Sequence, residues 1–442
     1  MSNAREVAMK TLAACERQGA WSDGYLKKAA RDAGLDRRDA ALATRLCFGV
    51  LQNRMLLDWH LTRFSKTPLE KLDLHMRQSL RLAVYQILMM DKIPDSAAVN
   101  EAVTLTRKYV RNPRAAGMTN GILRALLREK EQLSLPGEEN WEEWASVRYS
   151  HPRWLVREFS QRLGREETEA LLSADNEQPP TVAQVNTLRG DVLQLKADLE
   201  EQGVQAEVHP WLPDCLTLSG TGDMERLESF AQGRFYVQDT AAKLSVLAAD
   251  PKPGQRVLDC CAAPGGKSFA AAIAMENRGE IHSCDIHPHK IKLIEAGRDR
   301  LGLDIIHAHQ QNGTACREEW KDAFDVVITD VPCSGLGIIR KKPDIRYKDE
   351  APLKNLPEIQ KAILRNCAGY VCPGGTLLYS TCTLLERENE AVVEEFLAQN
   401  PEFEPESFVL PGVGESGGML TLWPHRYGTD GFFIAKLKRR GG

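Results

Sequence analysis

The chain has 442 residues, of which 43% are hydrophobic, 27% charged and 7% aromatic, enough for several domains that each bury a core. That composition excludes a disordered tail, a collagen and a disulfide-stapled miniprotein. The net charge of −4 conceals an asymmetry, because residues 1–130 hold 23 Lys and Arg against 13 Asp and Glu while the remainder is acidic; a basic part suited to nucleic-acid phosphates, or simply to solvated helix faces, precedes an acidic body.

Residues 1–10 carry Arg5, Glu6 and Lys10 and lack the apolar core of a secretory leader, and no run of about 18 uncharged apolar residues follows. A cytoplasmic protein without a membrane partner is expected. Up to residue 130, apolar positions recur at helical steps in Leu42, Leu46, Val50 and Leu51, in Leu80, Val84, Ile87 and Leu88, and in Ile122, Leu123, Leu126 and Leu127. This pattern predicts amphipathic helices closing on one bundle core. Arg107, Lys108, Arg111 and Arg114 cluster around a break at Asn112 and Pro113.

Pro136 and Gly137 suggest a linker, followed by short helices to Ala174 and a boundary at Pro179 and Pro180. Residues 181–186 read as a strand, 191–202 as a helix, 206–218 as extended with a break at Pro213, and 224–232 as a helix, which makes a small α+β unit. From about residue 236 the pattern is strand, tight loop, helix. Short β-rich runs at 256–260, 280–284, 305–308, 325–329 and 376–379 predict a doubly wound α/β sheet. Ligands of such sheets sit beyond the carboxyl ends of the strands. The expected domains are residues 1–140, 141–235 and 236–442.

Eleven cysteines are scattered without the paired spacing of a zinc site, so free thiols in a reducing compartment and no metal are expected. Cys15, Cys47 and Cys367 sit among apolar residues and read as small core side chains. Two other cysteines stand at strand ends.

The first run of the sheet leads into Asp259-Cys260-Cys261-Ala262-Ala263-Pro264-Gly265-Gly266-Lys267-Ser268 and an alanine-rich helix. Small residues there let backbone amides and a helix N-terminus approach a ligand. It is not a Walker loop, whose earlier glycine would fall at Cys261. The second run ends in Asp285, at a spacing suited to an acid on a ribose, or to a helix cap before Pro288. The fourth ends in Asp330-Val331-Pro332-Cys333-Ser334-Gly335 and the fifth in Tyr379-Ser380-Thr381-Cys382-Thr383. Two thiols at the carboxyl edge of adjacent strands would face one crevice and favour chemistry there.

These strings, together with Tyr149-Ser150-His151-Pro152, Trp154-Leu155 and Asp430-Gly431-Phe432-Phe433, resemble the RNA cytosine-C5 methyltransferases that use S-adenosylmethionine. The helical first part is similar to the antitermination factor NusB, and the resemblance, over nearly the whole chain, is to the RsmB (Sun or Fmu) type. It implies an all-α NusB-like bundle, a small α+β domain of RNA-recognition type and a Rossmann-like methyltransferase domain. It further implies a monomeric enzyme acting on 16S small-subunit ribosomal RNA, naked or in a partly assembled particle, and not on DNA.

C5 of cytosine is a weak nucleophile, so a thiolate must first add at C6, and a second acid or base assists afterwards. The resemblance makes Cys382 that nucleophile, gives Cys333 a part in product release and places Asp330 on the base edge. The residues alone leave the opposite order open, since DNA cytosine methyltransferases use the cysteine of a Pro-Cys pair. By the same resemblance Cys261, Ala262, Ala263, Pro264, Gly265, Gly266 and Lys267 line the methionine and sulfonium end of the cofactor. Asp285 binds its ribose, Asn312 lies near the adenine, and Asp330 borders it.

Asn312 replaces the usual Asp of the family and Arg387 a common Glu, whereas Glu388 and Asn389 keep the rest of that motif. Arg340, Lys341, Lys342, Arg346 and Tyr347 follow the Cys333 loop and are expected to meet phosphates and stack a base. Two alternatives remain: a transfer-RNA cytosine methyltransferase, and a non-catalytic RNA-binding antitermination or assembly factor.

Overall fold

The computed structural model describes residues 3–18 and 22–441; residues 1–2, 19–21 and 442 lie outside that description. The chain forms two compact units, Met1–Glu177 with Ile339–Lys348, and Gln178–Ile338 with Asp349–Gly442.

The first unit is helical: α1 (Ala4–Gln18), α2 (Ser22–Asp32), α3 (Arg37–Phe64), α4 (Leu74–Met89), α5 (Asp95–Tyr109), α6 (Ala115–Arg128), α7 (Trp141–Tyr149), α8 (Arg153–Leu163) and α9 (Arg165–Ala174). Helix α4 is buried on every side from Gln78 to Ile87, as befits the centre of a bundle. Asp73 starts it by accepting the His75 amide at 2.8 Å. The buried Arg81 within it is neutralised by Asp58 and Glu16, each at 2.7 Å. The break read at Asn112 and Pro113 separates α5 from α6, where Asn112 accepts the Arg114 amide at 3.0 Å.

Helices α7 to α9, read from sequence as the start of the second domain, pack in this first unit. Ser150, in the left-handed conformation at the end of α7, accepts the Leu56 amide of α3 at 3.2 Å.

The segment Ile339–Lys348 completes the same unit from far along the chain. Arg346 is fully buried. Its Nη1 donates to Asn176 Oδ1 at 2.8 Å and to the carbonyls of Tyr149, Gln52 and Ser150 at 3.2–3.3 Å, and Nη2 donates to the Asp175 carbonyl at 3.2 Å. Tyr347 donates its hydroxyl to the Leu51 carbonyl at 2.6 Å, with the Arg54 guanidinium 3.4 Å above its ring.

The expectation that this run meets RNA is therefore corrected for Arg346 and Tyr347, and Arg340 is buried as well. The physical reason is that α7 and α9 end at Tyr149 and Ala174, leaving carbonyls without intrahelical donors, and a planar guanidinium has the donors to satisfy several at once. His151 lies against Asp175 at 3.4 Å in this cluster. Burial, reinforced by Arg346, pushes its imidazole well below the ordinary value, so it is neutral.

The second unit opens with β1 (Thr181–Val185), α10 (Val192–Glu201), β2 (Gln205–Val208), β3 (Cys215–Ser219), α11 (Glu228–Ala231) and β4 (Phe235–Val237). The strands run antiparallel in the order β2-β3-β1-β4, a split βαβ arrangement.

There follow α12 (Thr240–Ala249), β5 (Arg256–Asp259), α13 (Gly266–Ala274), β6 (Glu280–Asp285), α14 (Pro288–Leu301), β7 (Ile306–Gln310), β8 (Phe324–Asp330), α15 (Glu350–Leu353), α16 (Leu356–Ala368), β9 (Val371–Thr381), α17 (Glu390–Gln399), β10 (Phe403–Pro405), β11 (Phe408–Leu410), β12 (Gly414–Ser416), β13 (Met419–Leu422) and β14 (Phe432–Arg439). The small sheet is pinned to α14: Asn186 donates to the carbonyls of Gly233 and Leu301 at 3.0 and 2.9 Å, and Arg300 donates to those of Phe230 and Phe235 at 2.7 and 2.9 Å.

The main sheet has the order β10-β14-β9-β8-β5-β6-β7, with β13 beside β14. Strands β5 to β9 are mutually parallel and β14 is antiparallel to β9. The chain leaves β5 toward β6 on one side and returns as β8 on the other, which creates a crevice at the carboxyl ends.

Candidate active site

The crevice is floored by the turn after β5. Ala262 donates its amide to the Cys284 carbonyl at 2.7 Å and Gly265 donates to Ala262 at 2.7 Å, which folds the loop back over β6. Gly265 has φ +112°, where a side chain is strained, and a Cβ on Gly266 would press on the Gln238 side chain at 2.7 Å. Helix α13 then starts with no side-chain cap, leaving its first amides for a ligand.

Beneath the loop, Ser268 Oγ donates to Asp259 Oδ2 at 2.7 Å and meets Ser283 Oγ at 2.7 Å. Burial pushes the Asp259 carboxyl up to about 7. Between the unfolded value of about 4 and that point, the native state holds a proton the unfolded chain has released, so stability falls as pH rises through this window. Asp259→Asn should remove that fall and be more stable by about 2 kcal/mol at about pH 8. Denaturation midpoints of both proteins at acid and alkaline pH check this, and parallel pH profiles would refute it.

The end of β6 presents Asp285, whose Oδ1 accepts the His287 amide at 3.0 Å and whose Oδ2 faces Lys290 Nζ at 3.4 Å. It therefore supports the turn, though the cap position of α14 belongs to His287, and it keeps a second oxygen for a diol. Ile286 beside it is 50% exposed, an apolar surface that sequence reasoning passed over and that suits a flat base. Asn312 is exposed, and its Oδ1 accepts the Thr314 amide and hydroxyl at 3.0 and 2.9 Å. A small cavity lies beside it, among Gly313, Cys260, Cys284 and Cys367.

The catalytic candidates meet at the ends of β8 and β9, which pair in parallel with Asp330 opposite Ser380. Cys333 and Cys382 lie with their sulfurs 3.2 Å apart, both half-buried. Asp330 is held between Lys267 Nζ at 2.6 Å and Ser380 Oγ at 2.9 Å. Burial pulls the Lys267 ammonium down, but Asp330 outweighs it and holds the group above its ordinary value, so it is charged. The hydrogen bond with Cys382, then burial, push the Cys333 thiol well above its ordinary value. Burial does the same to Cys261.

Backbone contacts lock the two cysteine loops together. Gly337 donates its amide to the Cys382 carbonyl at 2.9 Å, and Gly431 donates to the Gly337 carbonyl at 2.7 Å. A Cβ on Gly337 would collide with the Gly431 backbone, and a Cβ on Gly431 would lie 2.7 Å from the Gly337 Cα, which explains the glycine of the Asp430-Gly431-Phe432-Phe433 string. The structure thus brings Lys267, Asp330, Cys333 and Cys382 together and sets the loop from Cys261 to Gly266 and Asp285 at neighbouring strand ends. Ser380, Gln360 and Glu388 also belong to the site. Glu388 was legible only as part of a motif, and Gln360, in the middle of α16, carries no sequence signal. Among the described residues no group of three or more His, Cys, Asp or Glu is placed to hold a metal ion, and no helix is long and apolar enough to cross a membrane.

The sheet order and the glycine-rich turn at its switch point define an S-adenosylmethionine-dependent methyltransferase, and the loop amides, the Asp285 oxygen and exposed Ile286 fit that cofactor's carboxylate, diol and base. The chain belongs to the RsmB/F family of 16S rRNA methyltransferases, whose model matches residues 246–438. The NusB family model matches residues 2–128 and an RsmF/B-like ferredoxin-like domain matches 151–225. A Bacillus subtilis protein named a probable ribosomal RNA small subunit methyltransferase B is 36% identical over 100% of this chain and 99% of its own. The ribosomal RNA small subunit methyltransferase B of Klebsiella pneumoniae is 32% identical over 91% of each chain. The crystal structure of PH0851 superimposes with a TM-score of 0.83 at 27% identity, covering 99% of this chain and 98% of that one.

Proposed function

We propose that this protein transfers a methyl group from S-adenosylmethionine to C5 of a cytosine in 16S ribosomal RNA, in the cytoplasm, through a covalent bond between Cys382 and C6 of the base. The observation that carries this reading is the pair of thiols 3.2 Å apart, next to the Lys267–Asp330–Ser380 cluster.

The Cys382 sulfur adds to C6, and the electron pair of the C5–C6 double bond becomes available at C5. The Lys267 ammonium, fixed by Asp330 at 2.6 Å, supplies a positive charge in the same crevice. Asp330, already oriented by Lys267 and Ser380, accepts a hydrogen bond from the exocyclic amine of the base. S-adenosylmethionine, when bound, supplies the methyl sulfonium that C5 attacks. Loss of the C5 proton then restores the double bond, and the carbon–sulfur bond breaks with its electrons returning to sulfur. Cys333, protonated and hydrogen-bonded to that sulfur, stabilises the departing thiolate. Because C6 is reached from the face of the ring, the base must be unstacked, as in an RNA loop.

Labelled methyl transfer to unmodified 16S RNA and to bulk transfer RNA, side by side, tests the substrate; label confined to transfer RNA would overturn it. Cys333→Ala is expected to incorporate about one methyl per enzyme and then stall as a denaturation-resistant protein–RNA adduct. Full turnover without adduct in that variant would sink the release role. Loss of S-adenosylmethionine binding in the wild type would instead favour a non-catalytic RNA-binding factor.

A further inference from the structure

The two cysteines are each held by one member of a consecutive pair. Glu388 Oε2 accepts the amide of Ser334 at 2.9 Å and the Gln360 Nε2 at 2.8 Å, while the same Gln360 nitrogen donates to the Pro332 carbonyl at 3.0 Å. Pro332 and Ser334 flank Cys333, so Glu388 with Gln360 grips that turn on both sides. The next residue, Asn389, accepts the Thr381 hydroxyl at 2.6 Å through Oδ1 and donates to the Thr383 carbonyl at 3.0 Å through Nδ2. Thr381 and Thr383 flank Cys382. Glu388, Asn389 and Gln360 are fully buried. Their own position is fixed by the Tyr379 hydroxyl, which donates to the Glu388 carbonyl at 2.6 Å. A direct link between Ser334 Oγ and Thr383 Oγ1 at 2.6 Å ties the two turns together.

A buried carboxylate is costly unless it is hydrogen-bonded, and here Oε2 is spent on the Ser334 amide and on the side chain that holds the Pro332 carbonyl, while Oε1 has no partner among the described residues. One peptide unit thus spans two loops from different strands, and the spacing of the sulfurs follows from it. We propose that Glu388 and Asn389 are separate positioning residues for the two thiols, Glu388 through Gln360 for Cys333 and Asn389 for Cys382. Each variant should then reproduce the defect of the cysteine whose turn it holds. This rests on the reading of the site as a two-cysteine methyltransferase.

The test uses the full-length protein, unmethylated 16S RNA and labelled S-adenosylmethionine, with Glu388→Gln, Gln360→Ala and Asn389→Ala run beside Cys333→Ala and Cys382→Ala. Methyl incorporation in one turnover, steady-state turnover, denaturation-resistant adduct and cofactor affinity are measured for all. Glu388→Gln and Gln360→Ala are expected to match Cys333→Ala, with turnover down about tenfold or more and accumulated adduct. Asn389→Ala is expected to match Cys382→Ala, with neither label nor adduct and a cofactor affinity within about twofold of wild type. Gln360→Ala keeps the test alive if Glu388→Gln does not fold, because it leaves the Ser334 contact intact.

A single defect shared by the Glu388, Gln360 and Asn389 variants, or wild-type turnover in them, overturns the positioning. If Cys333→Ala and Cys382→Ala exchange phenotypes while each variant still follows its own cysteine, the assigned roles fall and the positioning stands.

Discussion

Cys382→Ala is expected to lower methyl transfer to 16S RNA by at least about 10⁴-fold, roughly 5.5 kcal/mol of transition-state stabilisation, while leaving S-adenosylmethionine affinity within about twofold. The size of the loss follows from the chemistry: without a thiolate at C6, C5 has no enamine character and cannot attack. The specificity follows from the structure, since the Cys382 sulfur meets Cys333 beyond β9 and β8 while the turn expected to hold the cofactor lies between β5 and α13. No adduct should form. Persistent activity in Cys382→Ala, with activity lost in Cys333→Ala, would transfer the nucleophile's role to the Pro-Cys pair.

Arg346→Met should cost the helical unit about 3 kcal/mol or more, because buried acceptors left without donors retain their desolvation penalty. The guanidinium serves four carbonyls and the Asn176 side chain, and methionine fills its volume while satisfying none. A fall in melting temperature of roughly 6–12 °C corresponds to that energy for a unit of this size. Arg346→Lys should rescue little of it, since an ammonium cannot fork toward several carbonyls. A change of less than about 1 °C in Arg346→Met, followed by differential scanning calorimetry, would show that the cluster is dispensable.

The sequence made the strand ends legible because short β-rich runs place their following residues at one edge, and that edge is where Cys333 and Cys382 meet. The helices through residue 130 were equally legible from their periodic apolar faces. Strand β9 was harder. Pro373, Gly374 and Gly375 punctuate it as a turn would, yet it runs from Val371 with a register shift against β8, and position 375 takes glycine because a Cβ there would press on the Asp325 and Cys372 carbonyls at 2.9 Å. Strand β14, which pairs with β9, β10 and β13, is not among the β-rich runs legible in the sequence.

Arg346 was misread for a different reason. A basic run looks solvated when its charge is counted, and nothing local reveals that carbonyls at the ends of α7 and α9 are waiting for it. Gln360 likewise acquires its role only from the tertiary placement of Pro332 and Glu388.

The return of Ile339–Lys348 to the helical unit bears on how the protein is made. A nascent chain released from the ribosome only to Glu177 has α1 to α9 in hand but lacks the guanidinium that donates to the carbonyls of Ser150 and Asp175. At about 5–20 residues per second the missing segment follows on the order of ten seconds later. During that interval the bundle exists without its buried arginine, so vectorial synthesis cannot finish the first unit before most of the second has been translated. A gene fragment cut at Glu177 would remain in that incomplete state permanently, and the helical unit should be excised only with residues 339–348 supplied in trans or grafted onto its end.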